Sequence, residues 1–240
     1  MKRFGLIGNP VAGSLSPRLF GAAYGGRYPY DLIEGARFDA SWKRFLDEYD
    51  GINITAPFKQ DAFRAVDVLS ESARLCGAVN LAVKTPEGIV GHNTDVDGVM
   101  LAVQEAGIPV TEALVVGCGG SGRAAAVAAM RLGCRVTLVN RTPAKAAALS
   151  SELLCAWVPA AVMASLSPDL VIYTVPGPME GLPDFPEAVI LEANYKTPVL
   201  EGRGKAYVSG RRWLLYQAVA GYEIFTGETP DTGAMFGIFC

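Results

Sequence analysis

Short apolar runs alternate with glycine- and proline-marked breaks along almost the whole chain. Phe4 to Ile7 form such a run, ended by Gly8-Asn9-Pro10, the pattern of a buried strand entering a turn. Ser16 before Pro17 predicts a helix N-cap followed by proline at the first helical position. Tyr30 to Ile33 predicts a second strand, and Ser41 to Tyr49 an amphipathic helix with Trp42, Phe45 and Leu46 inward. Gly51 to Thr55 reads as a third strand, with Pro57 opening the next helix. Ala78 to Lys84 and Gly88 to Gly91 read as a hairpin around Pro86-Glu87.

The texture changes from Val96. A helix from Val96 to Ala106, stopped by Gly107, leads into a strand, a glycine turn, an alanine-rich helix and the strand VTLV. A helix over Ala144 to Leu154 and the apolar strand DLVIYTV continue this α/β alternation. Pro176 to Pro186 contains four prolines and predicts a surface loop, followed by a strand near Val189 to Leu191. Arg212 to Gly227 carries Trp213, Leu214, Gln217, Ala220, Gly221 and Ile224 at helical spacing. The expected class is α/β. One domain or two small ones fit 240 residues, and two is the working division.

Composition narrows the class. Half the residues are hydrophobic and 19% charged, enough for a real core. A net charge of -3 argues against a nucleic-acid surface, which needs clustered Lys and Arg; Arg211-Arg212 is the nearest cluster. Five scattered cysteines without a CxxC pair suggest neither a disulfide frame nor a zinc knuckle, and a cytoplasmic setting fits best. No stretch approaches the roughly 18 to 20 apolar residues of a membrane span.

Gly117-Cys118-Gly119-Gly120-Ser121-Gly122 stands between a β-branched strand and a helix. Glycines there permit a tight turn and close approach of a pyrophosphate, whose charge the helix amides meet. The next strand ends in Asn140-Arg141-Thr142, where a fold preferring NAD carries an acidic residue. Arg141 instead attracts a 2′-phosphate, Thr142 adds a donor and Lys145 a second cation, so the expected cofactor is NADP.

The remaining polar stretches bear on chemistry. A single histidine, His92, with dispersed cysteines makes a catalytic zinc site a poor fit, so no metal is expected. The segment around Ser121 lacks the last glycine of a nucleophile elbow, and His92 precedes it. Lys59 falls in the first turn of a helix, where the dipole disfavours an ammonium, as suits a group that gives and takes a proton. Asp95 and Asp97 resemble the opening of a calcium loop, but Val99, Met100 and Ala106 stand where a ligand, glycine and glutamate are required. Thr94 or Asp97 is then a plain helix cap, and the residues alone leave Asp95 open.

GNPVAGSLSP, GINITAPFK, GAVN, GHNTDVDG, the glycine turn with NRTPAK, and the late Gln217 together resemble the shikimate dehydrogenase family, in order and over essentially the whole chain. The resemblance implies a split N-terminal α/β substrate domain, residues 1–95 completed by 211–240, plus a Rossmann-like NADP-binding domain over 96–210. It implies reversible reduction of 3-dehydroshikimate to shikimate on the route to chorismate and the aromatic amino acids, by a monomer or homodimer. Its catalytic lysine and aspartate match Lys59 and Asp95. Its substrate contacts match Ser14, Ser16, Asn53, Thr55, Asn80 and Gln217, with the two serines donating to the substrate carboxylate. Val175 and Gly210 are the counterparts of nicotinamide-lining positions.

The chain also departs from the family. Gly13 stands where a histidine is usual, and Tyr173-Thr174-Val175-Pro176 where Asn-Ala-Thr-Ser is common. Ungapped alignment puts Glu192 at the place of a substrate-contacting tyrosine and displaces Tyr195 by three, so that contact stays unassigned. Two alternatives remain open: a quinate or dual-specificity dehydrogenase, and a nucleotide-sensing protein without turnover.

Overall fold

The computed structural model describes residues 1–239. By their internal contacts they form two α/β units, residues 1–94 with 217–239, and Asp95–Tyr216. Relative to the expected division, Asp95 and residues 211–216 fall in the second unit.

The first unit opens with β1 (Phe4–Gly8), α1 (Ser16–Tyr24), β2 (Tyr30–Glu34), α2 (Phe38–Glu48), β3 (Gly51–Ile54) and α3 (Lys59–Ala65). It continues through β4 (Val68–Leu69), α4 (Glu71–Cys76), β5 (Leu81–Thr85) and β6 (Gly88–His92). Strand order is β2-β1-β3-β5-β6-β4, with β1 parallel to both β2 and β3 and the β5–β6 hairpin antiparallel to β3. One face of this sheet packs Ile7, Ile33, Ile52 and Ile54 against Trp42 and Phe45 of α2. The period of two sends Phe4 to the opposite face, where its ring lies 5.3 Å from Phe20 and 4.9 Å from Phe225.

Two local readings are corrected. Leu46, expected inward on α2, is exposed, because Trp42, Phe45 and Tyr49 already complete the buried stripe. Ser16 is not the N-cap of α1; Leu15 holds that position, and Ser16 is the first helical residue ahead of Pro17. The Ser16 hydroxyl is thereby left for other partners.

The second unit comprises α5 (Asp95–Glu105), β7 (Glu112–Val116), α6 (Gly120–Arg131), β8 (Arg135–Val139), α7 (Pro143–Leu153) and the short β9 (Ala156–Trp157). After a 3-10 turn come β10 (Leu170–Tyr173), β11 (Phe185–Glu192) and β12 (Gly204–Ser209). Helix α8 (Gly210–Thr226) begins in this unit and ends in the first, where α9 (Thr232–Phe236) follows. All six strands are parallel in the order β12-β11-β10-β7-β8-β9, the doubly wound arrangement with its switch point between β7 and β10. Ala124 to Ala129 of α6 are buried without exception. Methyl side chains leave no bulk to hold the helix off its neighbours, so it seats closely.

β12 and the start of β11 lie outside the expected elements. Phe185 and Pro186 are the first residues of β11, so the proline-rich loop ends at Asp184. Pro186 is tolerated because the pairing of β11 with β12 shifts register between Phe185 and Val189.

Candidate active site

The six expected substrate positions lie in the first unit, and five of them fall in two hydrogen-bonded clusters, Ser14 with Ser16 and Asn53 with Asn80 and Gln217, which also take in residues that pattern reading did not single out. Ser14 and Ser16 come from the loop and first turn that follow β1. The Ser14 hydroxyl donates to Ser16 Oγ at 3.0 Å and accepts from the Ser16 amide at 3.2 Å. Glu34, at the end of β2, accepts from the Val11 and Ala12 amides at 2.9 and 3.2 Å and so ties down the loop before the serines. Tyr222 on α8 donates to the Ser16 carbonyl at 3.1 Å.

Asn53 and Asn80 are nearly fully buried. Asn53 sits on β3, and Asn80 precedes β5, which pairs with it. The Tyr30 hydroxyl donates to Asn53 Oδ1 at 2.8 Å, and Asn53 Nδ2 donates to the Asn80 carbonyl at 3.4 Å. Asn80 Oδ1 accepts the Thr94 amide at 2.9 Å, and its Nδ2 donates to Thr94 Oγ1 at 3.2 Å. A hydroxyl has one proton to give. Asn80 Oδ1 at 3.3 Å and Gln217 Oε1 at 3.4 Å are the two acceptors within its reach. Thr94, one of the two residues expected as a helix cap, stands directly before α5 and is a fully buried hub of hydrogen bonds. Thr55 follows β3 on the same face as Asn53, by the strand's period of two.

Lys59 is the first residue of α3, half-buried, with its carbonyl accepting the Val79 amide at 3.0 Å. Asp95 is the first residue of α5, directly after Thr94 in the chain, and it falls in the second unit. His92, the lone histidine, is on β6 opposite Leu81; burial pushes its pKa down, as for a neutral core histidine.

The expected cofactor residues of the second unit, Gly210 apart, gather at the C-terminal ends of β7, β8 and β10. Gly117, at φ +102°, lets the chain leave β7 sharply. Thr174 Oγ1 closes the switch point by donating to the Val116 carbonyl at 3.0 Å. Val175 lines this turn; a Cβ added to Gly117 would come within 3.2 Å of its Cγ2. Asn140 Oδ1 accepts the Cys118 amide at 3.1 Å and its Nδ2 donates to the Thr142 carbonyl at 3.0 Å, joining the glycine turn to the end of β8. Cys118 itself is no nucleophile, since burial pushes its thiol up to about 11.

These residues fit a dinucleotide phosphate. A Cβ at Gly122 would stand 1.8 Å from the Gly117 carbonyl oxygen, so only glycine permits this approach of helix to strand, whereas Cβ atoms at Gly119 and Gly120 would meet nothing within 4 Å. The first turn of α6, around Ser121, has no side-chain cap to occupy its amides. Thr142 likewise makes no side-chain cap on α7. The exposed Arg141 and Lys145 form no ion pair among the described residues, as expected of cations that await an anion. Gly210 has a different reason: a Cβ there would lie 2.3 Å from the Ala193 carbonyl oxygen, so glycine is needed where β12 turns into α8 against the end of β11.

Glu192 does not replace a tyrosine in any exposed site. It is fully buried, and its carboxylate accepts the Val199 amide at 2.8 Å, the Leu200 amide at 3.0 Å and the Tyr207 hydroxyl at 3.1 Å. Its work is to close the loop between β11 and β12. Tyr195 on that loop lines a cleft of about 790 Å3 with Glu105, Tyr207, Arg211 and Arg212. The cleft shares only residues of the second unit and none of the predicted cofactor positions.

A six-stranded doubly wound sheet with a glycine turn at its switch point, together with a separate unit that buries a polar constellation, defines a two-domain, dinucleotide-dependent enzyme class. Residues 6–82 match the family model of the shikimate dehydrogenase substrate binding domain. The chain is 36% identical to shikimate dehydrogenase (NADP+) of Acidiphilium cryptum over 94% of its own length and 91% of that protein's. It is likewise 36% identical to the enzyme of the same name from Rubrobacter xylanophilus, over 96% and 93% of the two chains. Its fold matches the crystal structure of shikimate 5-dehydrogenase from Thermus thermophilus in complex with NADP(H) and shikimate, with a TM-score of 0.89, 29% identity and 99% and 98% of the two chains covered. The chain belongs to the shikimate dehydrogenase family. No helix among its described residues is long and apolar enough to cross a membrane.

Proposed function

We propose that the protein is an NADP-dependent shikimate dehydrogenase, which interconverts 3-dehydroshikimate and shikimate in the biosynthesis of aromatic amino acids. The observation that carries this reading is the polar network of the first unit. It presents two adjacent hydroxyls, Ser14 and Ser16, together with buried amides from Asn53 and Asn80 and the Gln217 side chain, a set suited to a small polyhydroxylated carboxylic acid.

The serine hydroxyls and the first-turn amides of α1 receive the substrate carboxylate. Asn53, Thr55, Asn80 and Gln217 meet the ring hydroxyls. Gly117, Gly119, Gly120, Ser121 and Gly122 hold the pyrophosphate, and Asn140, Arg141, Thr142 and Lys145 the 2′-phosphate. Val175 and Gly210 bound the nicotinamide. NADPH, when bound, supplies the hydride that reduces the ring carbonyl. Lys59 donates the proton from Nζ to the oxygen that becomes the hydroxyl, and takes it back in the reverse direction. Asp95 accepts a hydrogen bond from the shikimate hydroxyl at the reacting carbon and orders Lys59. Proton transfer of this kind contributes about 10² to 10⁴ in rate. The four described cysteines form no disulfide, as in a reducing cytoplasm, and the enzyme works there as a monomer or homodimer.

The test is the change in absorbance of the nicotinamide when purified protein is supplied with shikimate or quinate, each with NADP and with NAD. Turnover is expected with shikimate and NADP. Turnover on quinate alone would make the substrate quinate, and folded protein silent with every pair would refute an enzyme.

A further inference from the structure

Tyr30 holds the buried arm of the proposed substrate site, and pattern reading gives it no role. β1 runs between β2 and β3: Tyr30 is level with Phe4, and Asn53 is level with Leu6. Phe4 and Leu6 are two apart, so all four side chains leave the same face of the sheet. Adjacent strands lie about 4.8 Å apart, and a tyrosine is among the few side chains long enough to cross one strand and reach the next. Its hydroxyl donates to Asn53 Oδ1 at 2.8 Å. The ring is fixed between Phe20, at 4.8 Å between centroids, and Tyr222, at 6.2 Å.

The orientation of the Asn53 amide follows from its two neighbours. Tyr30 donates to one end, and the Asn80 carbonyl, which can only accept, faces the other at 3.4 Å. Both contacts put Oδ1 toward Tyr30 and Nδ2 toward Asn80. A flipped amide would set two carbonyl oxygens against each other. The Asn80 contact is long, so the shorter bond from Tyr30 is the stronger constraint. Burial pushes the Tyr30 phenol well above its ordinary range, so the proton it donates is always present.

We infer that Tyr30 is a positioning residue for the substrate: its hydroxyl locks the Asn53 side chain so that an N–H, not a carbonyl, is offered to a ring hydroxyl. This rests on the proposed reaction for its kinetic meaning. The phenol acts on a group that reads the ring rather than on the proton donor, so loosening it affects substrate binding before it affects the chemical step.

The test is Tyr30→Phe, which keeps the ring contacts and removes only the hydroxyl, compared with Asn53→Ala and the double variant. An unsatisfied amide oxygen and a freed rotor are expected to raise KM for shikimate about tenfold, with kcat within about threefold and KM for NADP unchanged. In the double variant the two effects are expected not to multiply, because Tyr30 acts through Asn53. A KM within twofold of wild type, or effects that multiply, would overturn the inference. The Asn53 side-chain amide signals in ¹⁵N NMR, identified by their loss in Asn53→Ala, supply a readout free of turnover. They are expected to shift in Tyr30→Phe, and signals that stay in place overturn the inference even in active protein. A silent wild type with shifting signals would instead sink the assigned reaction and leave the Tyr30 contact standing.

Discussion

Arg141→Ala is the most direct probe of how the second unit selects its cofactor. Arg141 follows β8, is exposed, and makes no ion pair among the described residues, so its removal breaks no structural contact. Its neighbours at the start of α7 are Thr142, whose side chain leaves the helix uncapped, and Pro143, so the amides of an 11-residue helix also face an incoming anion. A hydrogen bond to a charged group contributes about 1.5 to 3 kcal/mol. Exposure to solvent argues for the lower end of that range. At about 1.4 kcal/mol per factor of ten, the loss is roughly 10- to 30-fold in kcat/KM for NADP. The corresponding value for NAD, which lacks the 2′-phosphate, is expected to stay within about twofold. The assay is initial rate by nicotinamide absorbance at saturating shikimate, with each cofactor, at two ionic strengths. The NADP advantage of the wild type is expected to shrink as salt rises and that of the variant to change less, since screening acts on the charge that was removed. An equal fall with both cofactors would refute the reasoning, because Arg141 would then serve the part of the dinucleotide that NAD and NADP share.

Three further outcomes are expected. Lys59→Ala lowers kcat at least ~10²-fold with a smaller change in KM; an unchanged kcat removes Lys59 from the proton-transfer step. Glu192→Ala leaves two backbone amides and the Tyr207 hydroxyl without their acceptor. At about 1 to 3 kcal/mol for each buried group so stranded, stability falls by roughly 3 to 5 kcal/mol in urea titration, and a loss below about 1 kcal/mol would deny Glu192 its structural role. His92 has a folded pKa lowered by burial from 6.5, so below pH 6.5 the unfolded chain takes up the proton first. Stability is therefore full above pH 6.5 and declines as pH falls toward the folded pKa. His92→Gln is expected to flatten the urea midpoint between pH 7 and pH 5 relative to wild type, and parallel profiles would refute that assignment.

Legibility in the sequence followed the range of the forces involved. The inner strands of the second unit and the helices between them were readable because a parallel sheet covered on both sides demands continuous apolar runs, as in LVV and LVIY, and a glycine turn between strand and helix. The β5–β6 hairpin was readable for a similar local reason, its turn residues Pro86-Glu87. Leu46 was misread because helical spacing says which residues could share a face, while the width of the buried stripe depends on what α2 packs against. β12 was missed because Gly204 to Ser209 is short and only Val208 is fully buried, as befits an edge strand. The nature of Glu192 was hidden altogether: a carboxylate is buried only where donors converge on it, and those donors lie seven to fifteen residues further along.

The sequence by itself determined the α/β class, the position and chemistry of the glycine turn, the cations that follow β8, and the residue types of the substrate site. Those depend on neighbours a few positions apart, where steric preference, charge and periodicity act directly. Only the tertiary structure decided which polar groups bond to one another. Tyr30 reaches Asn53 across 23 positions, Thr94 reaches Gln217 across 123 and Tyr222 reaches Ser16 across 206. Such contacts are set by strand order and by the return of α8 to the first unit, and a hydrogen bond needs positions good to a few tenths of an ångström, which no local pattern carries.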